Sequence, residues 1–197
     1  MRYVIPLLLV TAGLPLRAAS DYTVYELLSP STHSFDILYD VSINREGAPF
    51  FFNPIRPGSV ATNERVIDLS TGKPLEFGEV DAKTARESGL VRGKIADDQK
   101  YIRVKFPHPV PKNGEVRIRI YKTYTDPPSY YEKDGLLIFD RPLGIKRNVV
   151  VLPKGYELTG SASPGIVSTD ADGRVRISFL NDRDDQLPVK VTGRKLP

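Results

Sequence analysis

Apolar and polar residues alternate with a period of two along much of this chain. In "HSFDILYDVSI", Phe35, Ile37, Tyr39, Val41 and Ile43 share one face, and Ser34, Asp36, Asp40 and Ser42 share the other. Only Leu38 departs from the pattern. A period of two marks a strand buried on one side. "YIRVKF" sets Ile102, Val104 and Phe106 against Arg103 and Lys105. "EVRIRIY" sets Val116, Ile118 and Ile120 against Arg117 and Arg119, and "RVRISF" aligns Val175, Ile177 and Phe179. "NVVVLP" is apolar without a break, as expected of a strand covered on both faces.

Turn residues separate these runs. "STGKP" at 70–74, "PKNGE" at 111–115 and "DADG" at 170–173 offer Gly, Asn-Gly and Asp-Gly at the points where a hairpin needs positive φ. Seventeen prolines suit strand edges and loops better than helix interiors. Only "EVDAKTARESG", Glu79 to Gly89, reads as a short helix. The pattern predicts an all-β protein: an antiparallel immunoglobulin-like or compound β-sandwich of ten to twelve strands. No long helices alternate with the strands, which argues against a parallel α/β sheet.

The first twenty residues, "MRYVIPLLLVTAGLPLRAAS", break the alternation. Arg2 supplies a positive start, Val4 to Leu16 is mostly apolar, and Ala18 and Ser20 suit a signal peptidase. The run is shorter than the roughly 20 apolar residues that span a bilayer, so residues 1–20 are expected to be a signal peptide cut after Ser20. Residues 21–197 are then one sandwich, with 126–129 as the candidate sub-boundary. The expected location is the periplasm or the cell exterior.

Cysteine is absent, which excludes thiol nucleophiles, thiolate metal sites and a lipid-modified amino terminus, and leaves the core alone to hold the fold. The whole chain carries +4, with basic and acidic residues interspersed. Without a basic run, nucleic acid is not an expected partner.

The two histidines, His33 in "PSTHSF" and His108 in "PHPVP", have no second histidine nearby, and no metal or cofactor motif occurs. There is no Gly-x-Ser-x-Gly turn. Asp97 with Asp98, and Asp182, Asp184 and Asp185 in "NDRDDQ", are the only clustered acids for a hydrolase, and they read first as polar loops. "DADG" begins like a calcium loop, but a strand follows at Arg174 and no glutamate closes the site. No catalytic residue, metal ligand or cofactor is expected. "FFF" at 50–52 reads as core, with Phe50 and Phe52 on one face and Phe51 on the other.

"KTYTDPPSYYEKDG" stands apart. Tyr121, Tyr124, Tyr130 and Tyr131 gather near a proline pair. The stretch reads first as a loop between strands. Its alternative is a ligand platform of those four tyrosines, whose rigid rings stack on sugars or peptides at low entropic cost.

The order of "THSFDILYDVSINREGAPFFFNPIRPGSVATNERVIDLSTGKPLEF" resembles the N-terminal β domain of the glycyl aminopeptidase metallopeptidases. The likeness covers about His33 to Phe77 and thins out by Tyr124. It departs from the family at Ile55-Arg56, where an aromatic precedes "PGS", and at Val60, where a tyrosine follows the serine. The catalytic helix with two zinc histidines has no counterpart in this sequence. The resemblance therefore implies a fold and carries over no catalytic residue. The segment from "RNVVVLPKGYELTG" to "RVRISFLND" is also similar to secreted bacterial β-sandwich proteins.

Together these readings predict a non-catalytic exported β-sandwich that works by contact with an envelope protein or glycan. A carbohydrate-binding module using the tyrosines and an envelope hydrolase are the alternatives.

Overall fold

The computed structural model describes residues 21–197, so the expected signal peptide lies outside the described residues. Fourteen strands run in chain order: β1 Tyr22–Leu27, β2 Ser34–Ile43, β3 Phe50–Ile55, β4 Val60–Asp68, β5 Phe77–Val80, β6 Lys100–Lys105 and β7 Val116–Thr125 form the first half. β8 Tyr130–Lys133, β9 Leu136–Leu143, β10 Arg147–Val151, β11 Tyr156–Ser161, β12 Ile166–Thr169, β13 Val175–Leu180 and β14 Leu187–Lys195 form the second. The predicted helix is α1, Ala82–Glu87, whose N-cap Asp81 accepts the Thr84 N–H at 2.8 Å.

The expected all-β sandwich is what forms, with more strands than the alternation alone reveals. One seven-stranded sheet has the order β12-β13-β10-β1-β2-β7-β4. Two smaller sheets, β11-β14-β9-β8 and β3-β6-β5, lie side by side over one face of it. Every pair is antiparallel except β1 with β10.

The inner face of the large sheet follows the period of two. Tyr25 and Leu27, then Phe35, Ile37, Val41 and Ile43, then Ile118, Ile120 and Tyr124 pack into one apolar cluster with Val104, Leu137, Phe139 and Val191 of the smaller sheets. Phe35 sits at its centre, with the rings of Tyr25, Tyr124, Tyr130 and Phe139 between 5.4 and 6.3 Å away. "NVVVLP" is covered on both faces as expected. Val150 and Leu152 enter the main cluster, while Val149 and Val151 join Val24 and Leu38 on the outer face. Leu38 breaks the alternation because it belongs to that outer cluster.

Phe51 faces the main core, and Phe52 packs on the opposite side with Tyr101 and Ala85 under α1. β3 is an edge strand, and the helix rather than a neighbouring strand covers its outer face.

The "KTYTDPPSYYEKDG" stretch corrects one expectation: it is mostly strand. β7 runs to Thr125 and β8 starts at Tyr130. Only 126–129 turn the chain, with the Asp126 carbonyl accepting from the Ser129 and Tyr130 N–H groups, each at 3.0 Å. Pro127 and Pro128 have no N–H to place and sit exposed at the tip. The stretch looked like a loop because its inward residues are a lysine and tyrosines instead of aliphatic groups.

Candidate functional site

Alternation carries a charge into the core at two places. In β7, Val116, Ile118, Ile120, Lys122 and Tyr124 share the inner face, and Lys122 is only 6% exposed. In β9, Leu137, Phe139, Arg141 and Leu143 share the inner face, and Arg141 is 8% exposed. The Lys122 and Arg141 side chains meet a cavity of about 200 Å³ at the seam between the two smaller sheets. Thr23, Tyr25, Ile37 and Tyr39 line it from the large sheet, Phe51, Asn53 and Pro54 from β3, and Ile145 from the turn after β9.

The two cations are held differently. Arg141 Nη1 donates to the buried Asp126 carboxylate, and its guanidinium lies 5.5 Å from the ring centroids of both Phe35 and Tyr124. Lys122 has no carboxylate partner among the described residues. Its Nζ donates only to the Tyr124 hydroxyl at 3.3 Å, and lies 4.6 Å from that ring's centroid. Burial pulls the Lys122 ammonium down to about 7, and the nearby Arg141 charge adds to the fall, while Glu64 opposes it. Burial pushes the Tyr124 phenol up to about 12 and raises Tyr25 as well. Arg56, just beyond β3, is lowered by burial and by Arg141.

A bulge shapes the site from below. In β4 the register shifts between Thr62 and Arg65, so Asn63 and Glu64 together stand opposite Lys122. Asn63 takes a left-handed φ of 54° there, and its amide donates to Thr123 Oγ1 at 3.3 Å.

Among the described residues, four buried side-chain polar atoms lack a hydrogen-bond partner: Thr23 Oγ1, Asn53 Nδ2, Ser59 Oγ and Asn148 Oδ1. Thr23 and Asn53 line the cavity. Asn148 stands opposite Thr23 in the β1–β10 register, and its Nδ2 donates at 2.6 Å to the carbonyl of Ile145, another lining residue. Buried polar groups are nearly always paired. Two of these orphans, Thr23 Oγ1 and Asn53 Nδ2, line the hollow that also holds a lysine with no carboxylate partner among the described residues.

The four tyrosines singled out from the sequence do not gather on one platform. Tyr124 is in the cavity wall. Tyr121 points to the opposite face of the large sheet, where the Arg65 guanidinium covers its ring at 4.0 Å. Tyr130 is fully buried, and its hydroxyl donates to the Leu28 carbonyl at 2.5 Å. Tyr131 is half-buried on the edge strand β8. Tyr130→Phe is therefore expected to act on stability alone. It should cost about 1 kcal/mol, the worth of one buried hydrogen bond, read as a drop of about 2–4 °C in melting temperature.

The remaining chemical candidates lie apart from the cavity. Nδ1 of His33 is 3.0 Å from the Tyr130 carbonyl, and His108 is exposed. Asp97 pairs with Arg86, and Asp185 with Arg183. Asp170 and Asp172 of the "DADG" hairpin pair with Arg176 and Arg174. A second hollow, about 650 Å³, lies on the outer face beside Tyr22, Ile166 and Leu180, where Ile166 and Leu180 are 76% and 70% exposed.

No family model matches the sequence, and no curated protein matches it. Solved structures do match the fold. An M1 zinc metallopeptidase from Deinococcus radiodurans superposes with a TM-score of 0.53 at 11% identity, over 88% of this chain and 41% of that one. Its E323A mutant bound to a Tyr-Ser-Ala substrate superposes equally well at 13% identity. An aminopeptidase N family protein from Idiomarina loihiensis reaches a TM-score of 0.48 at 9% identity, over 88% of this chain and 29% of that one. What is shared is the fold. The chain spans about two fifths of the Deinococcus metallopeptidase, so the resemblance read from the sequence holds as architecture.

Proposed function

We propose that this chain is a non-catalytic binding protein that holds a small polar ligand in the cavity between its sheets. The observation that carries this reading is a group of under-satisfied buried polar side chains among the described residues: Lys122 with a phenol but no carboxylate beside it, and Asn53 Nδ2 and Thr23 Oγ1 with no hydrogen bond. A protein that only needed a stable core would fill this space with aliphatic side chains, because each orphaned polar group costs about 1–3 kcal/mol. Binding is favoured over turnover because the acids considered for hydrolysis sit in exposed loops, and Asp97 and Asp185 are tied to arginines. The first twenty residues support a place outside the cytoplasm, in the periplasm or beyond the cell.

Thermal denaturation with a panel of small neutral, cationic and anionic compounds tests the reading. At least one compound should raise the melting temperature, since a ligand bound only to the folded state stabilises it. The shift should shrink in Asn53→Leu, which removes an orphaned amide from the cavity wall. If no compound shifts the transition, the reading fails.

Contact with an envelope protein or glycan is the second reading. It is favoured by Ile166 and Leu180, which share the outer face and together expose apolar surface at the β12 edge of the large sheet. Leu180→Lys would abolish such contact and leave the cavity untouched.

A further inference from the structure

We infer that the cavity is a site for a small carboxylate, its charged head set between Lys122 and Arg141 and its apolar body against the rings and aliphatic groups of the wall. This rests on the reading of the cavity as a ligand site and names the chemistry of that ligand.

The charge balance of the wall points to an anion. Lys122 and Arg141 enter from opposite sheets, and among the described residues Asp126 is the only carboxylate paired with either. Asp126 is already engaged by Arg141, and Glu64 acts on Lys122 from the β4 bulge without pairing with it, which leaves the ammonium with no direct counterion in a buried site. An isolated buried charge is among the most expensive arrangements in a protein, and an anion removes that expense directly. A cationic guest would add to the like-charge repulsion between Lys122 and Arg141 that is already present.

The uncharged groups agree. Asn53 Nδ2 is a donor with no acceptor, and Thr23 Oγ1 is a hydroxyl with no partner. Tyr25 and Tyr124 add phenols whose protons burial retains, so they present O–H donors. A carboxylate is acceptor-only and offers about four lone-pair sites, which matches a wall rich in donors.

Size and surface narrow the class. About 200 Å³ is less than the roughly 300–1,000 Å³ of pockets for drug-sized ligands. Ile37, Phe51, Pro54 and Ile145 and the rings of Tyr25, Tyr39 and Tyr124 make the rest of the wall apolar. A fully hydrated dianion such as phosphate gains nothing from such walls, whereas a short aliphatic or aromatic carboxylate buries its body against them.

Calorimetric titration of the full chain with butyrate, butyramide, butylamine and inorganic phosphate tests the assignment. Butyrate should bind. Butyramide and butylamine, which keep the body and lose the anion, should bind at least tenfold more weakly, as should phosphate. Lys122→Met should weaken butyrate about 30-fold or more, the scale of losing one partner of a buried charge pair. That variant removes a buried charge and is expected to fold. Asn53→Leu should weaken butyrate with the Lys122 charge intact, which separates a direct contact from a general change in potential. Butyramide binding as well as butyrate would overturn the anion assignment while leaving the cavity a ligand site. Phosphate binding as tightly as butyrate would overturn the carboxylate assignment. Binding of none of the four, in a protein whose melting transition also ignores the wider panel, would overturn both.

Discussion

Asp126→Asn lowers the melting temperature by about 6–20 °C. Asp126 is 3% exposed and, among the described residues, is the only acid paired with Arg141. Breaking a buried pair by removing one partner costs about 3–5 kcal/mol, because the remaining charge is left without compensation. Each kcal/mol shifts the transition of a chain of this size by about 2–4 °C. Here the remaining charge is worse placed than usual, since Lys122 and Arg56 are both close enough for Arg141 to lower them. Asn keeps the shape of the side chain and leaves intact the Asp126 backbone bonds to His33, Ser129 and Tyr130, so the loss reports the charge. Arg141→Met in the same background should restore part of the stability. A double-mutant cycle isolates the pair, which are in direct contact and therefore do not add. A loss below about 1 kcal/mol would show that the pair is open to water in solution rather than buried.

Lys122→Met has the opposite sign. It should raise the melting temperature of the unliganded protein by about 2–16 °C at pH 6, because replacing a buried charge that has no ion-pair partner by an apolar side chain of similar volume gains about 1–4 kcal/mol. The pH dependence follows from the direction of the shift. The lysine titrates at about 7 in the fold and at its ordinary 10.5 in the unfolded chain. Below pH 7 it is charged in both states, and the full burial penalty is present. Between about pH 7 and 10.5 the unfolded chain holds a proton that the fold has shed, so stability climbs with pH and the advantage of Met shrinks. The groups facing Lys122 are Arg141 from β9, Arg56 beyond β3, Asp126 in the turn, Glu64 in the β4 bulge, and the phenols of Tyr25, Tyr39 and Tyr124. Of these neighbours, the three tyrosines are raised well clear of neutrality by burial. Melting curves of both proteins at pH 6 and pH 9 check this. A gain no larger at pH 6 than at pH 9 would contradict it.

The large sheet was readable because β2, β7 and β13 bury one face each and so write their geometry into every second residue. Strands that bury little show only through the turns beside them. All four residues of β12 are exposed, and three of the four in β5, and the turns at 170–173 and 70–74 are what mark them in the sequence. Without a covered face there is no periodicity to read, and pairing with a neighbour alone makes them strands. The parallel pairing of β1 with β10 was also unreadable, since nothing local distinguishes it from an antiparallel ladder.

The site was half legible. Carrying the Ile118, Ile120 row two residues further places Lys122 and Tyr124 in the core, and the Leu137, Phe139 row places Arg141 there. Charge at those steps looked like the end of burial, when it was the first sign of a cavity. Of Tyr121, Tyr124, Tyr130 and Tyr131, only Tyr124 faces that cavity, and Tyr121, an odd number of residues away on the same strand, must point to the other side. Thr23, Asn53 and Asp126 carried no signal of their own. They meet only because separate sheets close over one another.

That closure has a mechanical side. The lid over the large sheet is two plates, β11-β14-β9-β8 and β3-β6-β5, with no backbone ladder joining them among the described residues. A ladder gives way only when many hydrogen bonds break together, whereas a side-chain seam loosens one contact at a time. The cavity therefore sits where side chains alone, and no backbone ladder, hold the two plates together.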